Sequence, residues 1–223
     1  MNSIDLGGVG MTSQRTRERL IERLRERGIG NEKVLEVMRV TPRHIFLDEA
    51  LSHRAYEDTS LPIGYSQTIS QPYIVALMTQ LLLSHGPRAR VLEVGTGSGY
   101  QAAILAQLVG EVYTVERVKP LLIKARERFR RLGLRNITAL HSDGGAGWAQ
   151  YAPFDAVITT AAARVVPDEL LHQLGPDGVL VIPVGADDGQ ELRVLRRQGD
   201  TNSFEEEVVT QVRFVPLLSG LAR

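Results

Sequence analysis

The chain has 223 residues, 43% hydrophobic and 23% charged, which excludes wholesale disorder and allows one large domain or a small two-part arrangement. Lys and Arg total 26 and Asp and Glu total 26, so the formal net charge is zero and the bulk positive charge of a dedicated nucleic-acid binder is missing. Cysteine is absent, which removes disulfides, thiolate metal sites and thiol catalysis together.

Residues 1–13 read as a flexible leader without the basic-then-apolar pattern of a secretory signal. No apolar run reaches the roughly 18–20 residues of a membrane span. From Gln14 to Arg27 the pattern predicts a helix, with Leu20, Ile21 and Leu24 on one face and Gly28 and Gly30 stopping it. A second helix is predicted from Asn31, its cap, to Val40, with Val34, Leu35 and Met38 apolar. The arginines here interleave with Glu18, Glu22, Glu26, Glu32 and Glu36, which is the pattern of a solvated face rather than an RNA-binding arm. Residues 56–72, YEDTSLPIGYSQTISQP, show neither helical nor strand periodicity. A polar, proline-stiffened loop of that length is expected to bind something. An apolar helix follows from Pro72 through Leu83.

From Arg90 the chain alternates strand and helix. Strands are predicted at Val91–Val94, Glu111–Val115, Ile137–Leu140, Phe154–Thr159 and Val179–Ile182. Helices are predicted at Tyr100–Leu108, at Pro120–Leu132 with Leu121, Leu122, Ala125 and Phe129 inward, and at Pro167–Leu174. Leu192–Arg196 and Phe204–Phe214 alternate more strongly and read as late antiparallel strands. The fold class is therefore α/β, a doubly wound, mostly parallel sheet with an N-terminal helical extension. The histidines His44, His53, His85, His141 and His172 include no i,i+4 pair, and no metal site is expected.

The run VLEVGTGSGY, Val91 to Tyr100, carries the strongest local signal. A loop leaving the first strand of an open α/β sheet borders the ligand crevice, and glycine lets the backbone turn sharply and approach a ligand. The spacing is G-x-G-x-G; Tyr100 stands where a dinucleotide fingerprint has its third glycine, and no Lys-Ser/Thr pair follows as in a P-loop. The loop carries no basic residue to meet a phosphate. Glu116 ends the next strand, where a carboxylate can accept from both hydroxyls of a ribose. Asp143 and Gly144 follow the third strand, where the acid can accept from an exocyclic amine and the amide can donate to a ring nitrogen. Together these suit adenosine without phosphates.

This arrangement resembles the S-adenosylmethionine-dependent methyltransferases, with their Rossmann-like sheet. The resemblance implies that Glu93, Gly95, Thr96, Gly97, Ser98 and Gly99 hold the methionine end, Glu116 the ribose, and Asp143 with Gly144 the adenine. After the fourth strand stands Thr159-Thr160-Ala161-Ala162-Ala163 instead of the Asn/Asp-Pro-Pro-aromatic element of many amino-methylating relatives, which argues against nucleobase or glutamine N-methylation.

The segment LPIGYSQTISQPYIVA, Leu61 to Ala76, is similar to the substrate segment of the protein-L-isoaspartate (D-aspartate) O-methyltransferase family. The likeness extends over VTPRHIFLDEAL, the glycine loop, FDAVITTAA, QLGPDGVLVIPVG and the closing VRFVPL, covering residues 15–218. Ser66 and Ser142 stand where the family commonly has glycine. The resemblance implies Ser70 as the active-site residue, with Thr68, Ile69 and Pro216 beside it at the substrate. It also implies methyl transfer from S-adenosylmethionine, leaving S-adenosylhomocysteine, to the free α-carboxylate of L-isoaspartyl residues, with D-aspartyl side chains as a further acceptor class. The ester then collapses to a succinimide, which begins repair of aged proteins. A carboxylate is already ionised at neutral pH (reference value about 3.9), so such a site needs alignment and neutral donors, not a general base.

The residues alone also allow Thr68 and Ser70 simply to cap the helix after Pro72. A methyltransferase acting on RNA or a small molecule, and a non-catalytic nucleotide-binding protein, are the competing readings. The expected organisation is a flexible leader (1–13), a helical and loop substrate-binding extension (14–86) and an S-adenosylmethionine-binding α/β core (87–223), forming one compact unit. The expected protein is a cytoplasmic monomer that acts on damaged proteins and peptides, without nucleic-acid or membrane partners.

Overall fold

Apolar side chains spaced three and four apart turn inward from α1 (Gln14–Glu26), which buries Leu20, Ile21 and Leu24, and from α2 (Glu32–Val40), which buries Val34, Leu35 and Met38. In the computed structural model, which describes residues 10–186 and 189–222, the Asn31 side chain accepts from the Lys33 and Val34 amides and caps α2 as its sequence position predicts. Most of the leader, residues 1–9, lies outside the described residues; Gly10–Thr12 form a 3-10 turn and Ser13 sits at the start of α1.

The segment read as aperiodic is partly regular. Leu61–Gly64 (β1) and Gln67–Ile69 (β2) pair as an antiparallel hairpin, with Leu61 opposite Ile69 and Pro62 opposite Thr68. Its turn residues Tyr65 and Ser66 both have positive φ, 54° and 56°. Such turns are normally announced by Asn-Gly or Asp-Gly, and a proline inside a strand argues against pairing, so the sequence conceals this hairpin. The apolar helix α3 (Pro72–Leu83) follows.

A seven-stranded sheet has β3 (Arg90–Val94) near its centre, flanked by β4 (Glu111–Glu116) and then β5 (Ile137–His141) on one side. On the other side lie β6 (Phe154–Thr159), β7 (Leu174–Ala186), β8 (Gly189–Arg197) and β9 (Phe204–Val212) in that order. β3 to β7 run parallel, and β8 and β9 add antiparallel to the edge. The helices between strands are α4 (Tyr100–Leu105), α5 (Lys119–Arg131) and α6 (Asp168–His172). α4 stops at Leu105 rather than Leu108, and β7 starts at Leu174, inside the span expected for α6, because Leu174 pairs with Phe154.

Alternation along the strands feeds two cores. Val91, Val112, Ile158 and Val181 face α3, α4 and α5, and their cluster runs without a break into the apolar stripes of α1 and α2. Leu92, Val94, Val157 and Leu180 face the other way, towards Leu170 of α6 and the partly buried Trp148 and Tyr151. The second face is thus covered by one short helix and by 3-10 turns at Gly144–Ala146 and Ala149–Tyr151. Beyond β9, residues 213–222 cross the carboxyl ends of the strands. The Leu217 amide donates to the Ala162 carbonyl, the Ala162 amide to that of Val215, and the Ala222 amide to that of Arg117. Among the described residues no helix is long and apolar enough to cross a membrane.

Candidate active site

Strand order reverses at β3, whose neighbours are β4 and β6, and ligands of open α/β sheets bind at the carboxyl ends of strands beside such a switch. Residues 95–99 leave β3 there and are held by backbone hydrogen bonds to β4 and within the loop. The Gly95 and Thr96 amides both donate to the Val115 carbonyl, at 2.8 and 3.2 Å, and the Gly99 amide donates to the Thr96 carbonyl at 2.8 Å. Gly99 has φ 88° and enters α4 so close to α5 that a Cβ would lie 2.8 Å from Phe129 Cε1 and 3.1 Å from the Ala125 Cβ. The tight helix packing that a dinucleotide fingerprint assigns to its third glycine therefore falls one residue earlier.

Two acids serve this loop differently. Glu116, buried at the end of β4, accepts from the Gly97 amide at 2.7 Å and the Val118 amide at 2.8 Å. Its carboxylate closes the turn and lines a cavity at the carboxyl ends of the strands. Glu93 points under the loop instead and does not line the cavity. Its Oε2 accepts from the Thr114 hydroxyl, which lies 2.6 Å from the Thr96 hydroxyl, while its Oε1 is buried without a hydrogen-bond partner. Burial pushes its carboxyl up to about 8, against a usual 4.5, with the neighbouring Glu116 adding to the rise.

Gly95, Thr96, Gly97, Ser98 and Gly144 line the same cavity, whereas Gly99 and Asp143 do not. Asp143 accepts from the Gly145 amide through Oδ1 and from the Gly220 amide through Oδ2, which ties the segment 213–222 to the end of β5. Arg117 also lines the cavity, a basic residue that the loop sequence did not announce; its Nε donates to the Gly220 carbonyl at 2.9 Å. Leu217 and Leu218 close the cavity from that segment.

On the opposite wall stand Thr68, Ile69 and Ser70, with Pro216 facing them from the segment beyond β9. Thr68 and Ser70 do not cap α3: its cap position is Gln71, without a side-chain hydrogen bond. Among the described residues neither hydroxyl has a hydrogen-bond partner, and both also line a second cavity of about 1,210 Å³. That cleft runs outward between Thr59, Ser60 and Tyr73 on one side and 210–215 on the other. Thr68, Ser70, Thr160 and Val215 border both spaces. Thr160 was visible in the sequence only as a departure from another motif; its hydroxyl donates to the Gly95 carbonyl at 2.6 Å and ties the loop after β6 to the glycine loop.

The geometry thus joins a small-molecule cavity, with a glycine loop and an acid, to an open cleft through a waist bearing two free hydroxyls. The model of the family described as protein-L-isoaspartate(D-aspartate) O-methyltransferase (PCMT) matches residues 14–222. A Cellvibrio japonicus protein-L-isoaspartate O-methyltransferase is 62% identical over 224 residues, covering 100% of both chains. One from Saccharophagus degradans is 58% identical, again over 100% of both. Among solved structures, a protein-L-isoaspartate O-methyltransferase aligns with TM-score 0.80 and 27% identity over 90% of this chain and 65% of that one. A Plasmodium falciparum structure, described as a beta-aspartate methyltransferase in complex with S-adenosyl-L-homocysteine, aligns with TM-score 0.78 and 27% identity over 92% and 99%.

Proposed function

The chain belongs to the protein-L-isoaspartate (D-aspartate) O-methyltransferase family, and from that premise we infer how its own residues divide the work. It transfers a methyl group from S-adenosylmethionine to the free carboxylate of isoaspartyl residues in proteins and peptides, and the resulting ester is the species that closes to a succinimide.

The smaller cavity suits the methyl donor. Its glycine loop brings backbone close to the ligand, and Glu116 offers carboxylate oxygens to ribose hydroxyls. Gly95 to Ser98 would hold the methionine end and Gly144 the adenine ring. Asp143 would reach the adenine amine only beside its bond to Gly220, so its part is shared with the C-terminal segment. Glu93 and Gly99 support the loop from beneath rather than touching the ligand. When bound, the donor supplies an electrophilic methyl on a sulfonium; a carboxylate oxygen takes that methyl and a neutral thioether is left.

The chain's contribution is to hold an ionised carboxylate at the waist. The Ser70 and Thr68 hydroxyls, free of internal partners, donate without transferring a proton, so the carboxylate keeps its nucleophilic lone pairs. Ile69 and Pro216 wall the waist with apolar surface that excludes water. The open cleft beyond accepts the peptide on either side of the damaged residue, so residues 14–86 form the substrate-binding extension and 87–223 the donor-binding core. The observation that carries this reading is that Ser70 borders both cavities with its hydroxyl unpaired. The reading includes a cytoplasmic monomer without a nucleic-acid partner. Zero net charge supports the last point, and exposed apolar residues scattered over separate elements, such as Val40, Ile123, Val165 and Val208, support the monomer.

The test is labelled methyl transfer from S-adenosylmethionine to a synthetic isoaspartyl peptide, with the aspartyl peptide as control. Ser70→Ala should lower kcat/KM for the isoaspartyl peptide at least about tenfold, the loss of one hydrogen bond to a charged group, and leave donor affinity within about twofold. Near-normal turnover by the variant would remove Ser70 from its role. Equal labelling of the two peptides would overturn the substrate.

A further inference from the structure

Arg43 is the largest fully buried side chain in the described structure, at 0% exposure. It opens the 3-10 turn Arg43–Phe46, and its guanidinium reaches inward to two backbone carbonyls: Nε donates to Ala55 at 2.9 Å and Nη2 to Ser70 at 2.8 Å. Nη1 is buried without a partner, and the group lies 4.8 Å from the Tyr100 ring centroid. Among the described residues it forms no ion pair. The carboxylate that acts on it electrostatically, Asp58, already pairs with Arg27 and accepts from the Tyr73 amide. The other titratable groups around it, Tyr56 and Tyr100, are neutral phenols at neutral pH. Burial draws the guanidinium down to about 10, so it stays charged at pH 7.

A buried cation without a counter-ion is costly, and a fold that wanted only packing would use an apolar residue there. Two carbonyls satisfy part of its hydrogen bonding but none of its charge. The missing negative charge is the one that the proposed reaction brings: the substrate carboxylate, at the residue whose carbonyl Arg43 holds. Arg43 does not line either cavity, so it acts through Ser70 and through the low-dielectric interior rather than by contact.

We propose that Arg43 is a positioning residue for the acceptor: it fixes the backbone at Ser70 and supplies the uncompensated buried charge that favours an anionic group at the waist. This rests on the reading of Ser70 given above. It assigns selectivity for a carboxylate over a neutral acceptor to a residue one layer behind the site.

The experiment uses the full chain as wild type, Arg43→Lys, Arg43→Gln and Ser70→Ala. Donor affinity is measured by calorimetry, and kcat and KM with an isoaspartyl peptide. Arg43→Gln removes the charge and, being shorter, the bond to the Ser70 carbonyl, and should raise peptide KM about tenfold or more while donor affinity stays within about twofold. Arg43→Lys keeps the charge and should recover at least about threefold of that loss. The proposal is overturned by a wild-type KM in Arg43→Gln, by equal impairment of the two variants, which would mean a purely structural fastening, or by donor affinity falling in step with KM. Should circular dichroism show Arg43→Gln unfolded, Arg43→Lys decides alone, and a KM rise of about tenfold in it refutes the charge role. If Ser70→Ala is kinetically normal, the Ser70 reading falls and this proposal with it. If Ser70→Ala is impaired and Arg43→Gln is not, only this proposal falls.

Discussion

Replacing Glu93 with glutamine should abolish a pH dependence of stability that the wild-type fold carries between about pH 5 and 8. The carboxyl is fully buried, has one oxygen bonded to the Thr114 hydroxyl and the other without a partner, and is raised by burial from 4.5 to about 8. Because the folded value lies above the unfolded one, the folded state keeps a proton across that interval which the unfolded chain releases. Stability attributable to the group is therefore full below about pH 4.5, falls as pH rises, and levels off above about pH 8. One proton corresponds to about 1.4 kcal/mol per pH unit, so the interval is worth a few kcal/mol. Glutamine is isosteric, accepts from Thr114 through its oxygen and never ionises. Urea unfolding at pH 5.5, 6.5 and 7.5 should show Glu93→Gln already favoured at the lowest pH, with its advantage over wild type widening by about 1.4 kcal/mol per pH unit. A difference independent of pH, or wild type gaining on the variant as pH rises, would refute the claim that Glu93 folds protonated.

Three further outcomes follow from the same geometry. Gly99→Ala should destabilise by about 3 kcal/mol, the sum of a positive-φ penalty and overlap with Phe129, and lower Tm by about 6–12 °C in thermal unfolding. A Tm within a degree of wild type would deny that α4 and α5 meet there. Glu116→Ala removes the carboxylate that holds the Gly97 amide and faces the donor cavity, and should raise apparent KM for S-adenosylmethionine about tenfold or more with kcat at saturation little changed. Calorimetry showing unchanged donor binding would take Glu116 out of the site. Ser66→Gly relieves a left-handed residue at the hairpin tip against a larger entropy loss, and should stabilise by about 0.5 kcal/mol, raising Tm by about 1–2 °C. A lower Tm would contradict strain at that position.

Local periodicity made much of the scaffold legible. Leu121, Leu122, Ala125 and Phe129 are the buried residues of α5, and Asn31 caps α2, because a helix face and a cap are decided within four residues of chain. Most of the glycine loop, Glu116 and the TISQP string are recognisable for the same reason: each is a short run whose backbone and side-chain chemistry do not depend on what lies across the sheet. The hairpin at 61–69 is local too, yet its Tyr65-Ser66 turn carries no glycine signal, so its pairing emerges only in the folded chain.

Tertiary structure alone decided which polar groups would be spent and which left free. Glu93 and Glu116 are both acids close to the end of a strand and share one sheet face, because Glu93 pairs with Thr114, two residues before Glu116; depth along the strands separates them, leaving Glu93 beneath the loop and Glu116 at the cavity. Asp143 is engaged by Gly220 from 77 residues away, and Arg43 reaches Ser70 across 27, separations at which no spacing rule operates. The amino-acid order therefore determined the elements, the donor loop and the family resemblance. Burial and charge compensation, which depend on packing over the whole chain, determined how those residues share the work.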